Sequence, residues 1–329
     1  MSKFFVTGGQ QRQGADGQDE WFSYAEALVL EVDISDGSAA VRTHYVTPPE
    51  ARPEDPRSNI VFKAGSIHDG KLLVCTQTEI LAFSLPDFQQ VGYVSHPWFN
   101  DLHHVCLNGR GHYLVAVTGL DLILEMTPAG EVVQEWPVHE GDTWDRFDRT
   151  EDYRKVLTTK PHNAHPNYVF EHAGEVWATR LNQKDAVCVS GGSGRVEVGV
   201  QKVHDGHVQA GVIHFTTVDG RVVKGDMATG KVISIHDLNA MTPTTKSLGW
   251  CRGLHLLADD KIIIGFSRLR PSRIKENLTW VKYKLGIKEK SGMMPTRLAC
   301  YDLAHDRLDW DLDLEPHGLN AVFSILPAD

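Results

Sequence analysis

Residues 101–138 read DLHHVCLNGRGHYLVAVTGLDLILEMTPAGEVVQEWPV. Four short runs stand out within them: DLHHVCL, HYLVAVTG, LILEMTPAG and EVVQEWPV. Each is rich in apolar and β-branched residues, and Gly, Asn, Asp or Pro separates it from the next, which is the pattern of antiparallel strands joined by tight turns. Long amphipathic helical patterns are nearly absent from the chain. Four strands in about forty residues make one sheet-sized unit, and the unit repeats. One repeat begins at His162 (HPNYVFEH, EVWATRL, DAVCVSGGS, RVEVGV) and another at His204 (GHVQAG, VIHFTTV, RVVKGDMATG, KVISIHDL). A further one begins at Gly249 (RGLHLLAD, KIIIGFSRL, RLACYDLAHD, RLDWDLDL), and ahead of them all lie IVFKAGSIH, KLLVCTQ, EILAFSL and QQVGYVS.

What remains is three N-terminal strands (KFFVTGG, ALVLEVDISDG, AAVRTHYV) and one C-terminal strand, AVFSIL, enough for a sixth sheet. The expected fold is therefore all-β: a six-bladed β-propeller of one domain, 1–329, closed by the N-terminal strands pairing with the C-terminal strand. At about 55 residues per blade, radial repetition leaves only short, protected sheet edges. Housing both termini in one blade also holds down two ends that would otherwise fray. A pair of sandwiches or a seven-bladed ring are the competing readings.

Composition narrows the partners. The 329 residues carry 33 Lys and Arg against 43 Asp and Glu, a formal charge of −10. That argues against nucleic acid and against an anionic membrane surface, both of which need a basic field. No apolar run approaches the ~18 residues of a membrane span, and the start MSKFFVTGGQ has no signal-peptide core, so a cytoplasmic protein is expected. Five scattered cysteines with no CxxC argue against a disulfide framework.

The 17 histidines are the unusual feature, because they fall at the entry to the inner strands. Asp101/His104, His162/His165, His204/His207, Arg252/His255 and His317/Asn320 share an i, i+3 spacing with polar residues in both slots. Side chains alternate along a strand, so the first member must sit on the preceding loop and the second on the strand. Both can then point at the propeller axis, at two heights. Convergent neutral imidazoles hold transition metals. The expected ligands are His104, His165, His207 and His255, with one divalent iron, zinc or copper ion as cofactor. His103 could replace His104, and His68 could be the first blade's contribution. His162, His204 and His317, nearer the mouth, are the expected acid/base groups, with Asp101, Asn163 and Asp205 orienting imidazoles. Isolated histidines such as His112, His172, His214 and His236 read as structural.

Arg180, Arg252 and Arg268, with Asn320, are expected to bind a small-molecule anionic substrate, since guanidinium forks match carboxylate, phosphate or sulfate. Each arginine reads equally well as the partner of a carboxylate such as Asp185, Asp219 or Glu276. Insertions near 8–22, 139–160 and 270–296 have the length of lids, the last being basic and carrying Trp280, Tyr283 and Leu285.

With the repeats in place, the chain resembles the broad six-bladed propeller superfamily of SMP-30/gluconolactonase, NHL-repeat and arylsulfotransferase proteins. DLILEMTPAGEVVQEW (121–136) is similar to those repeats. The carboxylate-plus-asparagine calcium set that the resemblance implies for a lactonase is not found. A histidine-lined axis is closer to carotenoid oxygenases and NHL-type amidating lyases, which hold a metal on axial imidazoles. The leading expectation is thus a metalloenzyme of lyase, hydrolase or O₂-dependent chemistry. A metal-free group transferase with a histidine nucleophile, as the arylsulfotransferase resemblance implies, and a non-catalytic binding module are the alternatives. Fold likeness by itself assigns no activity.

Overall fold

The computed structural model describes residues 2–13, 24–258, 260–268 and 292–328. They form six four-stranded antiparallel sheets. Strands β1 (Lys3–Gln11), β2 (Tyr24–Asp33) and β3 (Ser38–Tyr45) join the last strand, β24 (Ala321–Pro327), in the order β24-β1-β2-β3. The other five sheets are consecutive in sequence. They are β4 to β7 (Ser66–His68, Lys71–Cys75, Ile80–Ser84, Gln90–Val94), then β8 to β11 (Leu102–Leu107, Tyr113–Val117, Leu122–Met126, Val132–Pro137). Strands β12 to β15 (Pro166–His172, Glu175–Arg180, Asp185–Cys188, Arg195–Glu197) and β16 to β19 (His207–Gln209, Val212–Thr217, Arg221–Asp226, Val232–Asp237) follow. The fifth consecutive sheet is β20 to β23 (Trp250–Leu256, Lys261–Ser267, Arg297–Asp302, Arg307–Asp313). The chain is a six-bladed β-propeller, as the repeats require.

Each sheet is covered on both faces by its neighbours, so the middle strands are apolar throughout: β9 and β10 are buried at every position. The outermost strands face solvent, and the exposed large apolar residues among those described, Val91, Val133 and Ile233 for example, lie on them. The ring closes through β1 and β24, paired antiparallel from Phe4↔Pro327 to Gly9↔Ala321 with a bulge after Thr7. Buried hydroxyls stitch the closing blade to its neighbours. Thr7 Oγ1 donates to the Lys63 carbonyl, Ser324 Oγ accepts from Gly65 N at 2.9 Å, and Ser267 Oγ accepts from Val322 N at 3.0 Å. Gly8 has no alternative at the bulge, because a Cβ there would lie 1.7 Å from the Ala321 carbonyl oxygen.

The three insertions differ in what can be said. Residues 14–23 and 269–291, with Trp280, Tyr283, Leu285, Glu276 and Arg270, lie outside the described residues. Residues 139–160 are packed onto the propeller. Asn100 Nδ2 donates to the Tyr153 and Val156 carbonyls, and Arg149 stacks on Trp144 at 4.2 Å. Among the described residues no helix is long and apolar enough to cross a membrane.

Candidate functional site

The first strand of each consecutive sheet lies innermost, and the segments entering β8, β12, β16 and β20 meet around one cavity of about 300 Å³. Histidines 103, 162, 165 and 204 line it, together with Lys160, Lys202 and Arg252. Among the described residues no carboxylate does. An acidic protein has gathered three cations and four imidazoles at one mouth. The His103 and His165 rings are 5.0 Å apart, His103 and His204 6.0 Å, and His162 and His165 4.9 Å.

Local chain features set each ring. A bulge between Leu102 and His104 places one extra residue against β9, which separates His103 from His104. His103 joins the cavity, and its Nδ1–H donates to the Asp101 carbonyl at 2.8 Å. The Asp101 carboxylate takes Lys63 Nζ at 3.2 Å. Against the upward push of burial, Lys63 and His103 hold that carboxyl well below its ordinary range. His165 sits in the left-handed region (φ 58), a strained conformation for a residue with a Cβ. The fully buried Asp121 holds it there. Its Oδ1 accepts from Ala164 N at 3.0 Å and His165 N at 2.7 Å, and its Oδ2 from Asn163 N at 2.6 Å. Arg146, from the 139–160 insertion, lies 3.7 Å from the same carboxylate and donates to the Thr159 and Pro161 carbonyls. That insertion is a strut under the histidine loop.

The hydrogen-bond partners fix the tautomers. Thr159 Oγ1 donates to the Gly119 carbonyl at 2.6 Å, so it accepts from His162 Nε2 at 3.3 Å. His162 Nδ1 therefore carries a lone pair and accepts from His165 Nδ1–H at 2.7 Å. His165 Nε2 is left with its lone pair. The same logic applies to His103, whose Nδ1–H is spent on a carbonyl. It applies again to His204, whose Nδ1 faces the Asp205 carboxylate at 3.5 Å and whose buried Nε2 has no hydrogen-bond partner. Burial lowers the pKa of all four rings, with Lys63 adding to the effect at His103 and His162 at His165, while Asp205 opposes it at His204. Three neutral imidazoles that line one cavity thus keep unprotonated Nε2 atoms.

The structure divides the expected ligand set. His165 lies at the mouth. His104 stacks on Tyr168 at 3.7 Å, and the His207 ring lies 5.1 Å from that of Tyr168. His255 packs edge-on to Phe4 at 4.9 Å. His104, His165, His207 and His255 therefore do not meet. The reason is the bulge in β8 and the length of the entering loops: in the His204/His207 pair it is the loop member that lines the cavity. Among the described residues no three His, Cys, Asp or Glu side chains are arranged to hold a metal ion as they stand. His162 and His204 are at the cavity, whereas His317 ends a short 3₁₀ turn and does not line it. Of the expected substrate-binding groups only Arg252 lines the cavity, buried on the Phe323 ring at 4.1 Å with Nε donating to Ser267 Oγ. Arg180 is held bidentately by Asp185 at 2.9 and 2.6 Å, and Arg268 pairs with Glu315 at 2.9 Å. Asn320 accepts from Gln11 N and ties the closing sheet.

Sequence reasoning passed over Asp121, Lys160, Lys202 and Trp250, although a signal for the last three was there. Lys160-Pro-His162, Lys202-Val-His204 and Trp250-Cys-Arg252 occupy one repeating slot, each ending on a cavity residue.

The sequence matches no family model and no curated protein. Solved structures do resemble it. A protein of unknown function from Bacteroides caccae superposes with a TM-score of 0.63 at 12% identity over 99% of both chains. A structure of a nidogen/laminin complex gives 0.58 at 11% identity, over 98% of this chain and 97% of that one. A streptogramin B lyase gives 0.44 at 14% identity over 63% and 64%. At such identities the likeness is one of fold, the six-bladed β-propeller.

Proposed function

We propose that this propeller is a metal-dependent enzyme that carries out lyase or hydrolase chemistry on a small anionic substrate at the histidine-lined mouth. The observation behind the reading is the set of three Nε2 lone pairs, on His103, His165 and His204, each imposed by an acceptor at the opposite ring nitrogen. Imidazole ligands are commonly oriented in this way, by a carbonyl or carboxylate on the far nitrogen. His103, 5.0 Å from the His165 ring and 6.0 Å from that of His204, would join the two in such a ligand set. The partnerless, buried His204 Nε2 is the atom such an ion would satisfy.

A divalent ion held there supplies Lewis acidity. The rest falls to the chain. Arg252, Lys160 and Lys202 neutralise and orient the anionic group. His162 sits between His165 Nδ1 and Thr159 Oγ1, where its Nδ1 accepts from His165 Nδ1–H and holds His165 in the tautomer whose Nε2 carries the lone pair. The buried walls limit water to what the mouth admits.

The 2.7 Å contact between His162 and His165 also favours a second reading. There, His165 Nε2 acts without metal as base or nucleophile, and His162 takes up charge behind it. Elemental analysis of protein purified without an affinity tag separates the two. About one ion per chain, lost in His165→Ala, supports the metal reading. Metal-free protein that retains turnover supports the second, and no metal with no turnover on any anion leaves a binding module.

A further inference from the structure

Cations and imidazoles make up only part of the cavity wall. Trp250, Val218 and Leu181 line the remainder. Trp250 opens β20 and is half-buried, and its backbone pairs with Ser267. Tryptophans elsewhere in the described chain are engaged by the protein. Trp98 and Trp144 pack together at 4.5 Å and bond Arg149 O and Glu135 through their indole N–H groups, and Trp177 stacks on Phe170. The Trp250 ring forms no aromatic pair with a described residue, and Trp250 lines the cavity. Two residues on, Arg252 is held in one orientation by the Phe323 ring and Ser267. Lys202 lines the same cavity. An indole therefore stands beside the Arg252 guanidinium and the Lys202 ammonium in the cavity wall.

We infer that the substrate is a small planar organic anion, an aromatic or conjugated oxyacid, whose ring lies on Trp250 and whose anionic group meets Arg252 and Lys202. The inference rests on the proposed reading of this cavity as the active site, and it adds the substrate class. Size agrees with it. A cavity of about 300 Å³ admits one ring with a substituent or two. Flat rings gain from stacking on indole, whereas a puckered ring of the same size and charge cannot make that contact.

The test compares benzoate with cyclohexanecarboxylate by isothermal titration calorimetry, with metal content measured on the same samples. Benzoate is expected to bind about fivefold more tightly, equivalent to about 1 kcal/mol. Trp250→Leu should bring the two ligands level with metal content unchanged, and Arg252→Gln should weaken both alike. Equal affinities in the wild-type protein, no binding of either ligand at about 10 mM, or a preference that survives Trp250→Leu overturns the inference. A ring preference in metal-free protein would leave this inference standing and remove the metal reading. Bound metal without ring preference would do the reverse.

Discussion

Asp121 is the most informative residue to change, because it does not line the cavity and yet holds the histidine loop. Its carboxylate accepts three consecutive backbone N–H groups, those of Asn163, Ala164 and His165, at 2.6–3.0 Å, and it is wholly buried. Asp121→Asn preserves the shape. The amide oxygen can still serve Ala164 N and His165 N, but its NH₂ then confronts the Asn163 N–H, donor against donor. A hydrogen bond to a charged group is worth about 1.5–3 kcal/mol, so a loss of about 2–3 kcal/mol in unfolding free energy is expected. Asp121→Ala, which strands all three donors, should cost more. The functional effect follows from φ 58 at His165, since a strained residue released from its clamp relaxes toward ordinary backbone and takes its ring with it. Changing a group that orients a metal ligand commonly lowers metal affinity ~10–100-fold, and that range is expected for Asp121→Asn. Urea unfolding gives the first quantity and competition with a chromophoric chelator the second. If Asp121→Asn matches the wild type in zinc affinity, the clamp does not position His165, whatever happens to stability.

Other outcomes follow from the same geometry. His103→Ala should lower zinc affinity at least tenfold, whereas His104→Phe, which keeps the stack on Tyr168, should retain the metal and lose about 1–3 kcal/mol of stability by leaving Val169 N without its acceptor; equal zinc loss in both variants would contradict the division. Acid should destabilise the metal-free protein partly through His207, whose pKa burial pushes down to about 4 from 6.5. The unfolded chain takes up that proton first, so this share of stability is intact above pH 6.5 and lost progressively as pH falls toward 4, about 3 kcal/mol in all. His207→Asn should flatten that part of the urea-midpoint profile between pH 6.5 and 4. Arg180→Met removes the partner of a buried carboxylate that Arg195 still contacts at 2.7 Å, so stability should fall while benzoate affinity stays unchanged; weaker benzoate binding would return Arg180 to the site.

The blade pattern was legible because a propeller repeats. Middle strands covered on both faces must be apolar, turns must carry Gly, Asn or Asp, and the leftover strands at the two ends count to one sheet. The face that carries the candidate site was legible for the same reason, since His162, His204 and Arg252 recur at the first position of the i, i+3 pairs and His165 at the second. Which member of each pair faces the cavity was not. That depends on the bulge at Leu102/His104, on φ 58 at His165 and on the length of the loop before β16, and none of these leaves a period in the sequence. Asp121 was hidden because it reaches across from the turn between β9 and β10 to a neighbouring blade. A strand-end arginine such as Arg180 or Arg268 looks the same in sequence whether it faces a ligand or, as here, Asp185 and Glu315.

Anomalous diffraction at the zinc edge, from crystals of zinc-equilibrated protein, tests the central claim most directly. A single peak within about 2.0–2.1 Å of the Nε2 atoms of His103, His165 and His204 is the expected result. No peak at the mouth, or one at the level of His104, Tyr168 and His207, would contradict it.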